Sequence, residues 1–169
     1  LLCDDVGMGK TISAGMIISE LIHRNRISRV LVLVKSMIGP QWHDEMRTKF
    51  GLSSIFVRGA DDLHDAIRSP VEVVITTYET ARGNIADIPP GTFDMLICDE
   101  VHVIRNLFPS KASPLQIGLA LRDALESRSF KYSLLMSATP LQNRLWDLYT
   151  LIDCMTVGVG HKNPFGSEN

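Results

Sequence analysis

A chain of 169 residues, 45% hydrophobic and 21% charged, is long and apolar enough to close one core without disulfides or a structural metal. That balance excludes a disordered, collagenous or disulfide-scaffold protein, and a net charge of −2 neither demands nor forbids a nucleic-acid partner. Cys3, Cys98 and Cys154 are far apart and form no C-x-x-C pair, so buried, reduced thiols of a cytoplasmic protein are expected. No apolar run reaches the roughly 18 residues of a spanning helix. Charges at Asp4, Asp5 and Lys10 interrupt the first apolar stretch, which therefore does not read as a signal peptide. The chain opens at Leu1, already inside a motif, and reads as a fragment of a larger protein.

In chain order, strands are predicted at Leu1–Asp4, Val30–Val34, Ile55–Val57, Val71–Thr76, Met95–Cys98 and Tyr132–Met136. Several are apolar on consecutive residues, as a strand covered on both faces must be. Helical spacing fills the gaps. Ile12, Met16, Ile17 and Leu21 mark one face after the first strand; Ile117, Leu121 and Leu125 mark another; Leu141, Leu145, Leu148, Ile152 and Met155 mark a third. The alternation predicts a three-layer, doubly wound α/β sandwich with a mainly parallel sheet. The stretch Ile88-Pro89-Pro90-Gly91 is a break within the domain, and residues 161–169 read as a polar tail or linker.

Between the first strand and its helix stands Val6-Gly7-Met8-Gly9-Lys10-Thr11. Glycines let backbone amides turn inward around an anion, and a helix N-terminus adds partial positive charge. Gly7 and Gly9 would cradle phosphate, Lys10 would reach the β- and γ-phosphates, and the Thr11 hydroxyl would ligate Mg²⁺. The strict phosphate-loop pattern asks for another glycine where Asp4 stands. A second motif, Asp99-Glu100-Val101-His102, ends the strand Met95–Cys98, where parallel sheets place their ligands. Asp99 suits the Mg²⁺ shell and Glu100 suits orienting or deprotonating a water; the plainer reading is a pair of acids capping the next helix. His102 either couples this site to a neighbouring strand end or satisfies hydrogen bonds locally. A third motif, Ser137-Ala138-Thr139-Pro140, also ends a strand. Ser137 and Thr139 are candidates to bond the acidic box across the sheet edge, and Thr139-Pro140 is equally a good helix start. Trp42 reads as core more readily than as a base-stacking platform. His23, His43, His64 and His161 share no zinc spacing.

With these motifs in this order, the chain resembles the first, RecA-like motor lobe of superfamily-two helicase-like ATPases. It is most similar to the Swi/Snf family and, within it, to bacterial RNA-polymerase-associated members. The residues that carry the resemblance are Leu2 through Thr11, Asp99 through His102, and Ser137-Ala-Thr-Pro-Leu-Gln-Asn143 with Leu145, Asp147, Leu148 and Leu151. Gln41-Trp42 with Glu45, Ile75 through Glu79, Arg105-Asn106 and Asn163 through Ser167 support it. The resemblance implies a P-loop NTPase lobe over 1–160, with the second lobe outside this fragment. It implies an ATP- and Mg²⁺-dependent translocase on double-stranded DNA that displaces bound proteins, RNA polymerase among the candidates, in a cytoplasm or a nucleus. It implies a monomeric lobe with no membrane partner and, because the second lobe supplies an arginine, slow turnover by the fragment alone. It also implies DNA-backbone contacts from Lys35, Ser36, Thr76 and Thr77, against the plainer reading of solvated strand ends. Lys35 stands where the family usually has Pro; Cys3 and Val101 each replace a usual Ala. A strand-separating DEAH-like DNA or RNA helicase lobe is the alternative, opposed by Leu141-Gln142-Asn143. A catalytically silent contact module is a third, opposed by intact Lys10, Asp99 and Glu100.

Overall fold

The computed structural model describes residues 1–3, 7–104, 116–139 and 145–157. The strand β2 (Val30–Val34) is its centre. Five consecutive apolar residues cannot alternate between core and water, and all five are buried. Parallel neighbours flank β2 on each side, β4 (Val73–Thr77) and β5 (Met95–Cys98). Beyond β4 lies β3 (Ser54–Val57); beyond β5 lie β6 (Tyr132–Ser137) and then β1 (Leu2–Cys3). The described strands form one parallel sheet in the order β1-β6-β5-β2-β4-β3.

Each face of the sheet closes its own core. Val30, Val32 and Val34 of β2 point, with Ile75 and Ile97, towards α1 (Lys10–His23) and α2 (Gly39–Phe50). Leu31 and Leu33 point the other way, towards α3 (Ala60–Arg68), α4 (Tyr78–Arg82), α5 (Gln116–Glu126) and α6 (Leu145–Val157). The predicted α/β sandwich is therefore the observed one. Gly51, at φ +65°, ends α2 in a left-handed cap that few other residues adopt cheaply.

Strand limits agree with the sequence to within two residues. The helix faces differ more. In α1 the buried stripe is Ala14, Gly15 and Ile18, whereas Met16 is 61% exposed. Both stripes are apolar, so periodicity could not choose between them. Close approach chose: a Cβ at Gly15 would run into the Phe50 ring of α2, so the small side faces inward. In α5, Ile117, Leu121 and Leu125 are buried as predicted. In α6 the deepest residues are Leu151 and Cys154, with Leu148, Ile152 and Met155 half-buried beside them. Cys98 and Cys154 are buried free thiols, and burial pushes Cys154 up to about 12. Cys3, expected in the core, is exposed because β1 is a two-residue edge strand. Asp4, Leu141, Arg105-Asn106 and the 161–169 tail lie outside the described residues.

Candidate nucleotide-binding site

The described strands all run the same way, so the carboxyl ends of β1, β2, β4, β5 and β6 lie at one edge of the sheet. Gly7 and Gly9 lie at φ +82° and +79°, a region nearly closed to side-chain-bearing residues. Gly9 is the N-cap of α1 and offers no side-chain cap, so the first amides of the helix are left for an anion. Lys10, the first helical residue, is buried at 8% exposure. Gly7, Gly9, Lys10 and Thr11 line a cleft of about 390 Å³ with Trp42, Asp99 and Glu100, a volume within the usual range for small-molecule sites. The four residues predicted to hold nucleotide and metal thus share one cleft with the acidic pair.

Asp99 is only 5% exposed. Its amide donates to the Leu33 carbonyl at 2.9 Å, extending the β2–β5 ladder by one residue. Trp42 Nε1 donates to its Oδ2 at 2.9 Å, and the Glu100 amide to its Oδ1 at 2.9 Å. The Tyr78 hydroxyl donates to its carbonyl at 2.7 Å. Burial raises the Asp99 pKa above the ordinary carboxylate value, against the opposing pull of the Trp42 hydrogen bond and the nearby Lys10 charge. Glu100 follows at φ +51°, a left-handed conformation that costs a non-glycine residue on the order of 1–3 kcal/mol. The strain sits where the acidic pair must turn both carboxylates towards the cleft before the short helical turn Val101–Ile104.

His102 lies in that turn. Its Nδ1 stands 3.0 Å from Glu100 Oε2, and its Nε2 is 3.1 Å from Lys35 Nζ at the end of β2. This contact fits both sequence readings, coupling of the site to a neighbouring strand end and hydrogen bonding satisfied locally. Ser137 is buried at the end of β6, and its Oγ accepts from the Thr139 amide at 3.2 Å. Among the described residues no hydrogen bond joins either of them to Asp99 or Glu100. Pro140 and the residues up to 144, on which the helix-start reading depends, lie outside the described residues.

The four residues assigned to DNA divide. Lys35 is exposed and Ser36 half-buried beside it. Thr76 and Thr77 are buried: Thr76 Oγ1 donates to the Val57 carbonyl at 3.1 Å, and Thr77 caps α4 by accepting from the Thr80 amide at 3.1 Å. Their hydroxyls are spent inside the fold, so neither presents one to a ligand. Trp42 does more than pack. It is core, at 1% exposure, yet it also aims a donor at the central carboxylate. A buried indole needs a partner for its N–H, and that requirement was the available signal.

A parallel sheet with a glycine-rich anion loop and an acidic pair at its carboxyl edge, Asp99 buried and Glu100 half-buried, defines a RecA-like nucleotide-binding lobe. Residues 1–165 match the SNF2-related domain, and the chain belongs to that family. The ATP-dependent helicase YqhH of Bacillus subtilis is 29% identical over 99% of this chain and 28% of its own length. The RNA polymerase-associated protein RapA of Actinobacillus pleuropneumoniae is 34% identical over 84% of this chain and 16% of its own. The Sulfolobus solfataricus SWI2/SNF2 ATPase core in complex with dsDNA has the same fold, with a TM-score of 0.71 at 22% identity over 94% of this chain and 31% of that one. The chain thus spans less than a third of the length of these relatives.

Proposed function

We propose that this chain is the ATP-binding lobe of a Swi/Snf-type motor that translocates on double-stranded DNA and displaces proteins bound to it. The observation that carries the reading is the single cleft shared by Gly9, Lys10, Thr11, Asp99 and Glu100. Gly7 and Gly9 admit the phosphates to the amides that open α1, and Lys10 reaches the β- and γ-phosphates. Glu100 orients water for attack on the γ-phosphorus and takes its proton as the bond to the ADP oxygen breaks. The donor set suits Mg²⁺: a hard hydroxyl from Thr11 and a buried Asp99 carboxylate whose charge is only partly offset by Lys10 and Trp42. When bound, the ion neutralises charge on the phosphates.

Residues 1–160 form this first lobe, and a second lobe elsewhere in the full-length protein supplies an arginine that accounts for about 10³–10⁵ in turnover. Lys35 and Ser36 are the DNA-facing pair, since Thr76 and Thr77 are internal; backbone contact of this kind positions the protein without reading sequence. RapA's name describes a protein associated with RNA polymerase, which makes RNA polymerase a candidate partner of the motor. Among the described residues no helix is long and apolar enough to cross a membrane.

The test is ATP hydrolysis by the full-length protein with duplex DNA, single-stranded DNA or RNA, with Glu100→Gln as the control. Stimulation chiefly by duplex, lost in Glu100→Gln, is expected. Stimulation chiefly by single strands or RNA would instead assign a strand-separating helicase, and hydrolysis surviving Glu100→Gln would remove the site.

A further inference from the structure

Lys35 has a second role that follows from what it touches. Its backbone, at φ −69° and ψ 141°, is the extended conformation that Pro adopts without strain, so nothing in the main chain calls for lysine. What lysine adds is an ammonium. That group reaches across the carboxyl edge from the end of β2 to His102 Nε2 at 3.1 Å. An ammonium has three donors and no acceptor, so Nε2 must offer its lone pair and the ring proton must sit on Nδ1. Nδ1 is the atom 3.0 Å from Glu100 Oε2, a close polar contact that is not aligned as a hydrogen bond in this structure. The side chains of His102 and Glu100 are 19% and 21% exposed, enclosed enough for one orientation of the imidazole to matter.

We propose that Lys35 is a positioning residue of the hydrolytic site: it fixes the tautomer and ring of His102, which keeps the Nδ1 proton beside Glu100 Oε2 and leaves Oε1 to the attacking water. The chain Lys35–His102–Glu100 runs from the DNA-facing loop after β2 to the carboxylate beside the phosphates. It rests on the reading of Glu100 as the base.

Two variants of the full-length protein separate this from a plain phosphate contact. Lys35→Pro keeps the backbone and Lys35→Met keeps the stem; both remove the donor. At saturating duplex DNA each should lower kcat roughly tenfold, the low end for loss of an outer-shell partner, with KM for ATP unchanged. Lys35→Arg should recover most of the loss. In a His102→Ala background Lys35→Met should have no further effect, because the two residues act as one unit. If Lys35 only touches DNA, saturating duplex restores wild-type kcat in Lys35→Met, and that result overturns the proposal while leaving Glu100→Gln inactive. Equal losses from Lys35→Met with and without His102 overturn it as well. Hydrolysis that survives Glu100→Gln overturns the site itself, and this inference with it.

Discussion

Two aspartates bracket β5, and the fold treats them in opposite ways. Asp94, just before the strand, accepts from the Ser28 amide at 2.6 Å, the Ser28 hydroxyl at 2.8 Å and the Arg29 amide at 3.2 Å. Burial works against its charge, but those donors outweigh the burial, and its pKa lies below the ordinary 3.8. Asp99, just after the strand, is buried more deeply, and there burial prevails over its donors, so its pKa is raised. The amino edge of the sheet satisfies its charges with neutral hydrogen-bond partners. Arg29 likewise donates to the carbonyls of Ile67 at 2.9 Å and Ala66 at 3.1 Å, and lies over the Phe93 ring. The carboxyl edge keeps a carboxylate short of compensation beside a strained residue and an anion loop. A structural edge satisfies itself, while a binding edge leaves charge for its ligand to satisfy.

The comparison breaks if substitutions at the two edges have like effects. The largest expected difference is for Asp99→Asn. ATP turnover should fall by at least about 10²-fold, the scale of losing one preorganised polar group in an active site. The rise in Tm produced by Mg·ADP should disappear with it. Arg29→Met should leave turnover intact and destabilise the lobe by about 2–3 kcal/mol, through the unpaired carbonyls at the end of α3. Asp94→Asn should cost about 1–2 kcal/mol, again without touching turnover. Its pH dependence has a definite sign. A carboxylate depressed in the folded state contributes stability that is complete above its unfolded value near 3.8 and is lost as pH falls through the lower folded value. Denaturation of wild type and Asp94→Asn should therefore differ at neutral pH and converge in acid. A Mg·ADP effect on Tm that depended on Asp94 would merge the two edges.

Much of this was legible in the sequence because it is written in consecutive residues. Val30–Val34 can only be a strand covered on both sides, and Gly9-Lys10-Thr11 and Asp99-Glu100 are consecutive motifs that point to the family residues 1–165 match. What was not legible depends on how the chain turns after a strand. Two hydroxyls at the end of β4 looked available to a backbone phosphate. The chain enters α4 at once, however, and Thr77 is consumed as its cap. The inward face of α1 was settled by a glycine–phenylalanine contact between two helices, and no local pattern marks Glu100 as left-handed. The pairing of Ser28 and Arg29 with Asp94 joins distant stretches that share no pattern.

Trp42 is where the two kinds of edge meet in one residue, and Trp42→Phe is the smallest and most discriminating change. The indole fills the core under α2 and donates its only N–H to Asp99, a residue far from it in sequence. Phenylalanine keeps most of the apolar volume and deletes the donor. If Trp42 served packing alone, as its burial suggested from sequence, the variant would lose stability and keep its turnover. The donor predicts otherwise. Without it Asp99 Oδ2 keeps its place in a poorly solvated cleft but loses the partner that orients it, so kcat should fall by roughly threefold to tenfold, about 1 kcal/mol. The affinity for Mg-free ADP, which the proposed function assigns to the glycine loop and Lys10, should not change. A drop in Tm with wild-type kcat would return Trp42 to the core and leave Asp99 to be oriented by the Glu100 amide alone.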